Sequence, residues 1–193
     1  LSWYLIKEKI NYKNRKELNS FLGNISITFK SVGGSKQNVI INDYNVTDKI
    51  RTQEISSIVP TIASIKEVRE FLVKEQRKIG STGGIVAEGR DIGSHVFPNA
   101  ELKIFLTATI NERAKRRKNE LEAMGHGTID FEKLKNEIEK RDFDDSNRKV
   151  SPLVKAEDAI EIISDGYTIN QVAGKIFEIY LETLPKELNI EIK

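Results

Sequence analysis

The sequence lacks cysteine and holds only two histidines, four prolines and one tryptophan among its 193 residues. Without cysteine no disulfide or thiolate metal site can form, and two histidines argue against a histidine-rich zinc site. No apolar run approaches the roughly 20 residues that a membrane-spanning helix requires, and no secretory signal is evident. These absences favour a cytoplasmic protein with no membrane partner.

The charge is balanced, with 31 basic and 29 acidic residues and a formal net charge of +2. A balance of this kind produces no overall field that would require nucleic acid or an anionic membrane as partner. Charged residues make up 31% of the chain and apolar residues 38%, which is typical of a globular protein. Any affinity for anions must therefore come from local clusters of basic residues.

Hydrophobic periodicity predicts a small antiparallel unit followed by an α/β region. Ile25, Ile27 and Phe29 alternate with polar residues, and an apolar run at 39–41 follows a glycine-rich turn. Helices are predicted at 14–22, with Asn14 as cap, and over 47–79, with a break near Pro60. Further on, strands are predicted at 85–87, 102–106 and 159–163, and helices at 111–124, 130–141 and 169–184. Alternating strands and helices indicate a parallel sheet.

The segment that follows the strand predicted at 85–87 carries polar groups between two glycines, Gly89 and Gly93. Arg90 can clamp a phosphate through two N–H groups. Asp91 can accept a hydrogen bond from an amino group on a base edge. An ordinary Arg–Asp pair on a surface loop explains the same residues equally well.

Two further basic clusters lie on predicted helices. Arg113, Arg116 and Arg117 fall on one helical face, and Arg141, Asp145 and Arg148 follow i, i+4, i+7 spacing. Both clusters fit solvated, salt-bridged helices. They also fit a lid that brings arginines over a polyphosphate, because phosphoryl transfer depends on positive groups around the transferring oxygens. Neither histidine has an obvious serine partner, so acyl transfer is set aside.

Four strings occur in the order and spacing of one family. They are Ile50-Arg51-Thr52-Gln53-Glu54, Val68-Arg69-Glu70, Gly89-Arg90-Asp91-Ile92-Gly93 with Val96-Phe97-Pro98-Asn99-Ala100, and Arg141-Asp142 with Asp145-Ser146-Asn147-Arg148. From about Leu1 to Leu181 the sequence resembles bacterial-type cytidylate kinases. The resemblance implies an α/β fold of the P-loop nucleoside monophosphate kinase type, in which helices flank a parallel sheet. A small antiparallel β insert and a helical lid complete that fold.

The resemblance also implies an activity, the transfer of the γ-phosphoryl group of ATP to CMP or dCMP with Mg²⁺. Catalytic roles would fall on Arg90, Arg141 and Arg148, and no residue of the chain would ligate the metal. The implied contacts are Arg69 and Asp91 to cytosine, Arg90 and Arg148 to phosphates, Arg141 and Asp145 to the sugar, and Arg113 and Arg117 in the lid. The complete enzyme would be a monomer whose substrates are ATP and CMP or dCMP.

The sequence departs from the family pattern in two places. Pro60 stands where the family usually offers a serine to the base; Ser56, Ser57 or Thr61 are the candidates to replace it. The sequence also holds neither a Gly-x-x-x-x-Gly-Lys-[Ser/Thr] loop nor the Asp-Thr-Gly and Tyr-Arg motifs that follow it in the family. Gly33-Gly34-Ser35-Lys36 has similar letters but is predicted to lie in a hairpin turn.

From these departures we expect a kinase truncated at its amino terminus, with the first strands of the sheet missing, inactive and poorly stable by itself. Similar sequences occur fused behind a pantoate–β-alanine ligase. The predicted parts are an insert lobe that binds the nucleoside monophosphate (22–61), a core (62–110), a lid (111–150) and further core (151–193). The alternatives are another P-loop phosphotransferase, such as a dephospho-CoA kinase-like enzyme, and a nucleic-acid-binding module that uses the Arg113–Lys118 face. The balanced charge and the absence of interleaved aromatics argue against the second.

Overall fold

The computed structural model describes residues 1–34, 36–125, 127–148 and 150–185, which form two compact units. The first unit spans Leu1–Val86 and the second starts at Ala87. Ser35, in the predicted turn at 33–36, lies outside the described residues, as do the last eight residues of the predicted 151–193 core. None of the described helices is both long enough and apolar enough to cross a membrane.

The first unit is built mainly from four α-helices. They are α1 (Ser2–Lys7), α2 (Arg15–Leu22), α3 (Gln53–Ala63) and α4 (Lys66–Ile79). Asn14 caps α2 as predicted, because its side-chain oxygen accepts hydrogen bonds from the backbone N–H groups of Lys16 and Glu17 at 3.1 and 3.3 Å. Short 3₁₀ turns at Lys49–Arg51 and Gly80–Thr82 precede α3 and follow α4.

The apolar faces of these four helices meet in one core. Its buried members are Leu5, Leu18, Leu22, Ile62 and Val68. Each of the four helices contributes at least one residue, so this shared core holds them together. Helices this short are marginal in isolation, so their stability depends on this packing.

A three-stranded antiparallel sheet completes the first unit. Its strands are β1 (Ile27–Ser31), β2 (Gln37–Ile41) and β3 (Tyr44–Asn45), in the order β1-β2-β3. Ile27 faces Ile41 across the first pair. The alternation at 25–29 and the run at 39–41 predicted β1 and β2, whereas the two residues of β3 are too few to show a period.

The helical region over 47–79 breaks later than predicted. Pro60 lies inside α3, and the helix ends instead at Ser64, before Ile65 takes an extended conformation. Proline at this position removes one N–H from the helix, but the remaining bonds and the buried Ile55 and Ile62 keep α3 continuous. The break predicted near Pro60 therefore lies at Ser64 and Ile65.

The second unit is an α/β arrangement around two parallel strands. Its elements are a π-helical turn (Ile92–Val96), β4 (Ile104–Thr107), α5 (Ile110–Ala123), α6 (Phe131–Asn147), β5 (Ile160–Ile163) and α7 (Ile169–Thr183). β4 pairs with β5 in parallel, with Ile104 opposite Ile160. Thr168 and Gln171 form the capping box that starts α7.

Two predictions for this region need correction. Residues 85–87 are not a strand, because no strand in the described part of the chain lies beside them to take up their backbone hydrogen bonds. Val86 is accordingly fully exposed. α6 continues six residues beyond the predicted end at Arg141 and reaches Asn147, so the polar segment that follows Arg141 is helical.

We predict that Leu18→Ala destabilises the first unit by about 2–5 kcal/mol, because Leu18 is fully buried and the truncation leaves a cavity. Val59→Ala on α3 is the control, since Val59 is 42% exposed and its truncation should change stability by less than about 0.5 kcal/mol. Urea unfolding can be followed by the fluorescence of Trp3, which lies in this unit. Equal effects of the two substitutions would contradict the core described above.

Candidate functional site

The loop that enters the π-helical turn is tightly built around Asp91. Asp91 is 6% exposed, and its carbonyl accepts hydrogen bonds from the backbone N–H groups of His95 and Val96 at 2.9 and 3.1 Å. π-helical turns often occur at functional sites. A Cβ atom on Gly89 would lie 2.8 Å from Cγ1 of Ile92, so only glycine fits there without a shift.

The side chain of Lys103 packs against this loop and fixes its position. Its ammonium group donates hydrogen bonds to the carbonyl of Pro98 and, at 2.6 Å, to Oδ2 of Asp158. The side chain is only 7% exposed, and its Cγ and Cδ atoms lie 3.4 Å from where a Cβ of Gly93 would be. The hydrogen bond from Lys103 lowers the pKa of the Asp158 carboxyl. The loop is thus fixed to the start of β4 and to the segment before β5.

The Asp145 carboxylate brings together two of the predicted arginines. Nε of Arg90 donates to Oδ2 of Asp145 at 2.9 Å, and Nη1 of Arg148 lies 3.6 Å from Oδ1. Asp145 is on α6, Arg90 is in the loop before the π-helical turn, and Arg148 follows α6 directly. Arg90, Asp91, Asp145 and Arg148, all predicted from the sequence, therefore lie in one region of the second unit.

Ser151 belongs to the same cluster and was not predicted. Its carbonyl accepts a hydrogen bond from Nε of Arg148, and its backbone φ is 51°, in the left-handed region that few non-glycine residues adopt. The backbone N–H of Leu153 donates to the carbonyl of Asp145 at 2.8 Å. The Ser-Pro pair at 151–152 marked a turn in the sequence, but nothing there indicated that the turn would orient Arg148.

The other two predicted acceptor-side arginines lie on helices, Arg69 on α4 and Arg141 on α6. Arg69 is half-buried on α4 in the first unit. Arg141 is exposed on α6, and among the described residues its side chain has no ion-pair or hydrogen-bond partner. The roles of Arg69 and Arg141 stay predictions.

The three arginines of α5 do not form a uniform basic face, because each has its own partners. Arg117 pairs with Glu120 one turn further along the same helix, at 2.6 Å. Arg113 donates from Nε to the carbonyl of Ala108 at 3.1 Å, and its Nη2 lies 2.6 Å from Oδ2 of Asp142.

Arg116 is the structural member of the three. Its Nη1 and Nη2 donate to the hydroxyl and the carbonyl of Ser164 at 3.0 and 2.6 Å, and its Nε donates to Glu112 at 2.8 Å. The Ser164 hydroxyl in turn donates to the carbonyl of Thr107 at 3.0 Å. Arg116 therefore ties α5 to the carboxyl ends of both strands. The sequence predicted only that Arg116 is one of several charges on a basic helix.

The residue after Ser164 fixes the start of α5. Asp165 accepts hydrogen bonds from the hydroxyl and, at 2.9 Å, from the backbone N–H of Thr109, the residue that caps α5. The hydroxyl bond and then the backbone bond lower the pKa of the Asp165 carboxyl. Asp165 and Thr109 also line an open cavity of about 510 Å³ beside Phe131. None of the predicted site residues lines this cavity.

The serine hydroxyls on the turn before Pro60 donate hydrogen bonds to backbone carbonyls at the start of α3. Ser56 donates to the carbonyl of Thr52 at 2.9 Å, and Ser57 to that of Glu54 at 2.7 Å. Each hydroxyl oxygen can still accept a hydrogen bond. Within the described segments, no three side chains among His, Asp and Glu gather closely enough to hold a metal ion.

Comparison with known proteins gives one consistent family. The cytidylate kinase family matches residues 1–182. The bifunctional pantoate ligase/cytidylate kinase of Prochlorococcus marinus strain MIT 9312 is 63% identical over 190 residues, which cover 98% of this chain and 37% of that protein. The protein of the same name from Trichodesmium erythraeum strain IMS101 is 44% identical over 183 residues, covering 95% of this chain and 34% of that protein. The chain thus spans little more than a third of these relatives.

We predict that Gly89→Ala destabilises the second unit by about 1–3 kcal/mol, because its Cβ would overlap Ile92 and push the Asp91 loop out of place. Gly93→Ala is the matched control in the same loop. Its Cβ would meet Lys103 at 3.4 Å, an ordinary contact, so the loss should be below about 1 kcal/mol. Chemical denaturation of both variants measures the difference. A larger loss for Gly93→Ala would show that the loop is not packed as described.

The lowered pKa of Asp165 predicts a dependence of stability on pH. Because the carboxylate is stabilised in the folded state, its contribution is fully present above the unfolded pKa of about 4 and is lost as pH falls through the lower folded value. Asp165→Asn should therefore flatten the acid side of the stability curve below about pH 4. Glu157→Gln, which removes an exposed carboxylate, is the control. An unchanged acid limb in Asp165→Asn would disprove the assignment.

Proposed function

The chain belongs to the cytidylate kinase family, and we propose that it forms part of a nucleoside monophosphate kinase that moves the γ-phosphoryl group of ATP to CMP or dCMP. The products are CDP or dCDP, and ADP. We propose further that the complete polypeptide combines this kinase with a pantoate ligase, as in the relatives named above, and that it is a cytoplasmic monomer. Family membership and the arginine cluster at Asp145 support the kinase proposal.

The cluster at Asp145 is the observation that carries the proposal. Phosphoryl transfer requires little covalent work from the protein and depends on positioning and charge stabilisation. Arg90 and Arg148 approach one carboxylate from different segments, so both guanidinium groups are already gathered before a substrate arrives. In this proposal the phosphate of CMP accepts hydrogen bonds from both guanidinium groups. Asp145 then accepts from a ribose hydroxyl, with Arg141 as a second sugar contact.

Asp91 provides base discrimination in this proposal. Its carboxylate accepts a hydrogen bond from the exocyclic amine of cytosine. Uracil presents a carbonyl oxygen at that position, so a carboxylate would meet a second acceptor and neither group would find a proton. A buried polar group left without a partner is what lets such sites reject the wrong substrate strongly. The resemblance assigns the second cytosine contact to Arg69.

The ATP side of the reaction needs residues beyond those of this sequence. The 193 residues hold no Gly-x-x-x-x-Gly-Lys-[Ser/Thr] loop to cradle the phosphates of ATP. Arg113 and Arg117 are the proposed lid contacts. Mg²⁺ would be expected with ATP in this family, but the described residues offer no set of ligands that fits it. We therefore assign no step of the reaction to the metal.

We propose that the 193-residue chain alone has no kinase activity. Strands of a parallel sheet are normally covered on both faces, whereas Leu106 of β4 and Ile163 of β5 are 52% and 58% exposed. Further polypeptide that covers these residues would complete the P-loop kinase fold and supply the phosphate loop. The predicted insert lobe, core and lid boundaries, 22–61, 62–110, 111–150 and 151–193, are proposed as the parts of that fold.

The two alternative functions have less support. A dephospho-CoA kinase-like enzyme does not agree with the family match over residues 1–182. A nucleic-acid-binding module would need the Arg113–Lys118 face to be free for phosphates. Arg116, in the middle of that face, instead has all three of its nitrogens engaged with Ser164 and Glu112.

The test is an ADP-release assay on the polypeptide encoded by the whole open reading frame, with CMP, dCMP, UMP and AMP compared at equal concentration. We expect CMP and dCMP to be used best and the isolated 193-residue chain to be inactive. Asp91→Asn should reduce the preference for CMP over UMP by at least about tenfold, because an amide can donate to the uracil oxygen. Glu161→Gln, which removes an exposed partner of Lys155, should leave the preference unchanged. Equal use of all four acceptors by the complete protein would refute the proposal.

A further inference from the structure

α6 carries two carboxylates one turn apart, and each holds an arginine that comes from another part of the second unit. Asp145 holds Arg90 and Arg148, as described above. Asp142, three residues earlier, holds Arg113 of α5 through a 2.6 Å ion pair. The sequence pattern drew attention to Asp145 and to Arg113, but gave Asp142 no role.

We propose that Asp142 is a positioning residue that orients the guanidinium group of Arg113 toward a phosphate oxygen of the donor nucleotide. This inference rests on the function proposed above. It assigns Asp142 no contact with substrate of its own. Its effect is exerted through Arg113.

The geometry of Arg113 supports this role. The side chain is held at two points, by the Ala108 carbonyl at 3.1 Å and by the Asp142 carboxylate. A planar guanidinium fixed at two points has its orientation defined, and three of its five N–H groups are then left for a ligand. Ala108 directly follows β4, so these donors lie beyond the carboxyl end of a parallel strand, where ligands bind in open α/β sheets.

The neighbouring arginines show that this arrangement is specific to Arg113. All three nitrogens of Arg116 donate hydrogen bonds to Ser164 or Glu112, so its role is structural. Arg117 pairs with Glu120 on its own helix, and both side chains are about half exposed, so nothing outside α5 sets its direction. Among the described contacts of these three arginines, only the Arg113 pair reaches α6.

The donor rather than the acceptor nucleotide is the ligand that this placement favours. Arg90 and Arg148 share Asp145 and form the proposed acceptor-phosphate cluster. Arg113 is attached to a different carboxylate and to the residue that follows β4. Because Asp142 and Asp145 lie one turn apart on the same helix, α6 sets the spacing between the two groups of arginines.

The test compares Asp142→Asn with Asp142→Glu in the complete polypeptide, measuring kcat and KM for ATP and for CMP separately. Asp142→Asn should lower kcat/KM for ATP by about tenfold, because a misoriented guanidinium loses much of its effect on the reaction. KM for CMP should change by less than about twofold. Asp142→Glu retains the charge and should recover most of the activity. Glu122→Gln is the control, since it removes a carboxylate of similar exposure that pairs with Lys118 on α5.

A second arm separates positioning from a merely structural effect. If Asp142 acts through Arg113, adding Asp142→Asn to an Arg113→Ala background should cause no further loss, whereas independent effects would multiply. Thermal unfolding of each variant checks that it is folded. An Asp142→Asn enzyme that matches Glu122→Gln, or one whose CMP kinetics change instead of its ATP kinetics, would overturn the inference. Failure of the unsubstituted protein to phosphorylate CMP would instead refute the proposed function.

Discussion

Two guanidinium groups repel each other unless an anion lies between them, and in the second unit the Asp145 carboxylate is that anion. Arg90 and Arg148 come from segments more than fifty residues apart, and the shared carboxylate makes their approach favourable. Asp145 is the least exposed member of the group, at 19%, so its charge depends most on its partners. This contact joins the Asp91 loop to the end of α6, and Arg148 also bonds the turn at Ser151.

The rest of the second unit fixes the ends of its elements to one another. Arg116 ties α5 to Ser164 after β5, and Asp165 holds the cap of α5 at Thr109. These contacts gather at the carboxyl ends of the two strands, where α/β proteins place their ligands. Rigid elements that end at one place allow polar side chains to be held with little loss of entropy on binding.

Local signals were enough to predict most elements but not the contacts between them. The Asn14 cap, the capping box at Thr168 and the alternation in β1 depend on neighbouring residues, so the sequence displays them directly. The strand expected at 85–87 failed because strand formation requires a partner, which apolar residues alone do not supply. The break predicted near Pro60 occurs four residues later, because packing of α3 outweighs the loss of one hydrogen bond at the proline.

The candidate site shows the same limit more clearly. Arg90 and Asp145 were singled out together only because the sequence resembles a family, since no local pattern relates residues 55 positions apart. Asp142 and Ser151 escaped notice because their importance lies in which arginine they contact. The sequence indicated only that Arg116 is a charge on a basic helix. In the structure it joins α5 to Ser164, which follows β5.

Lys103 gives the fold a consequence for covalent modification. An amine can be acylated only when it is deprotonated and reachable, and the Lys103 ammonium is enclosed between the Pro98 carbonyl and the Asp158 carboxylate. Most other lysines of the chain lie in solvent, so they stay open to modifying reagents and enzymes after folding. The Lys103 amine can be reached by such reagents only before this loop has folded. A modification that neutralises this charge must therefore precede the folding of this loop, and it would affect folding rather than the folded protein.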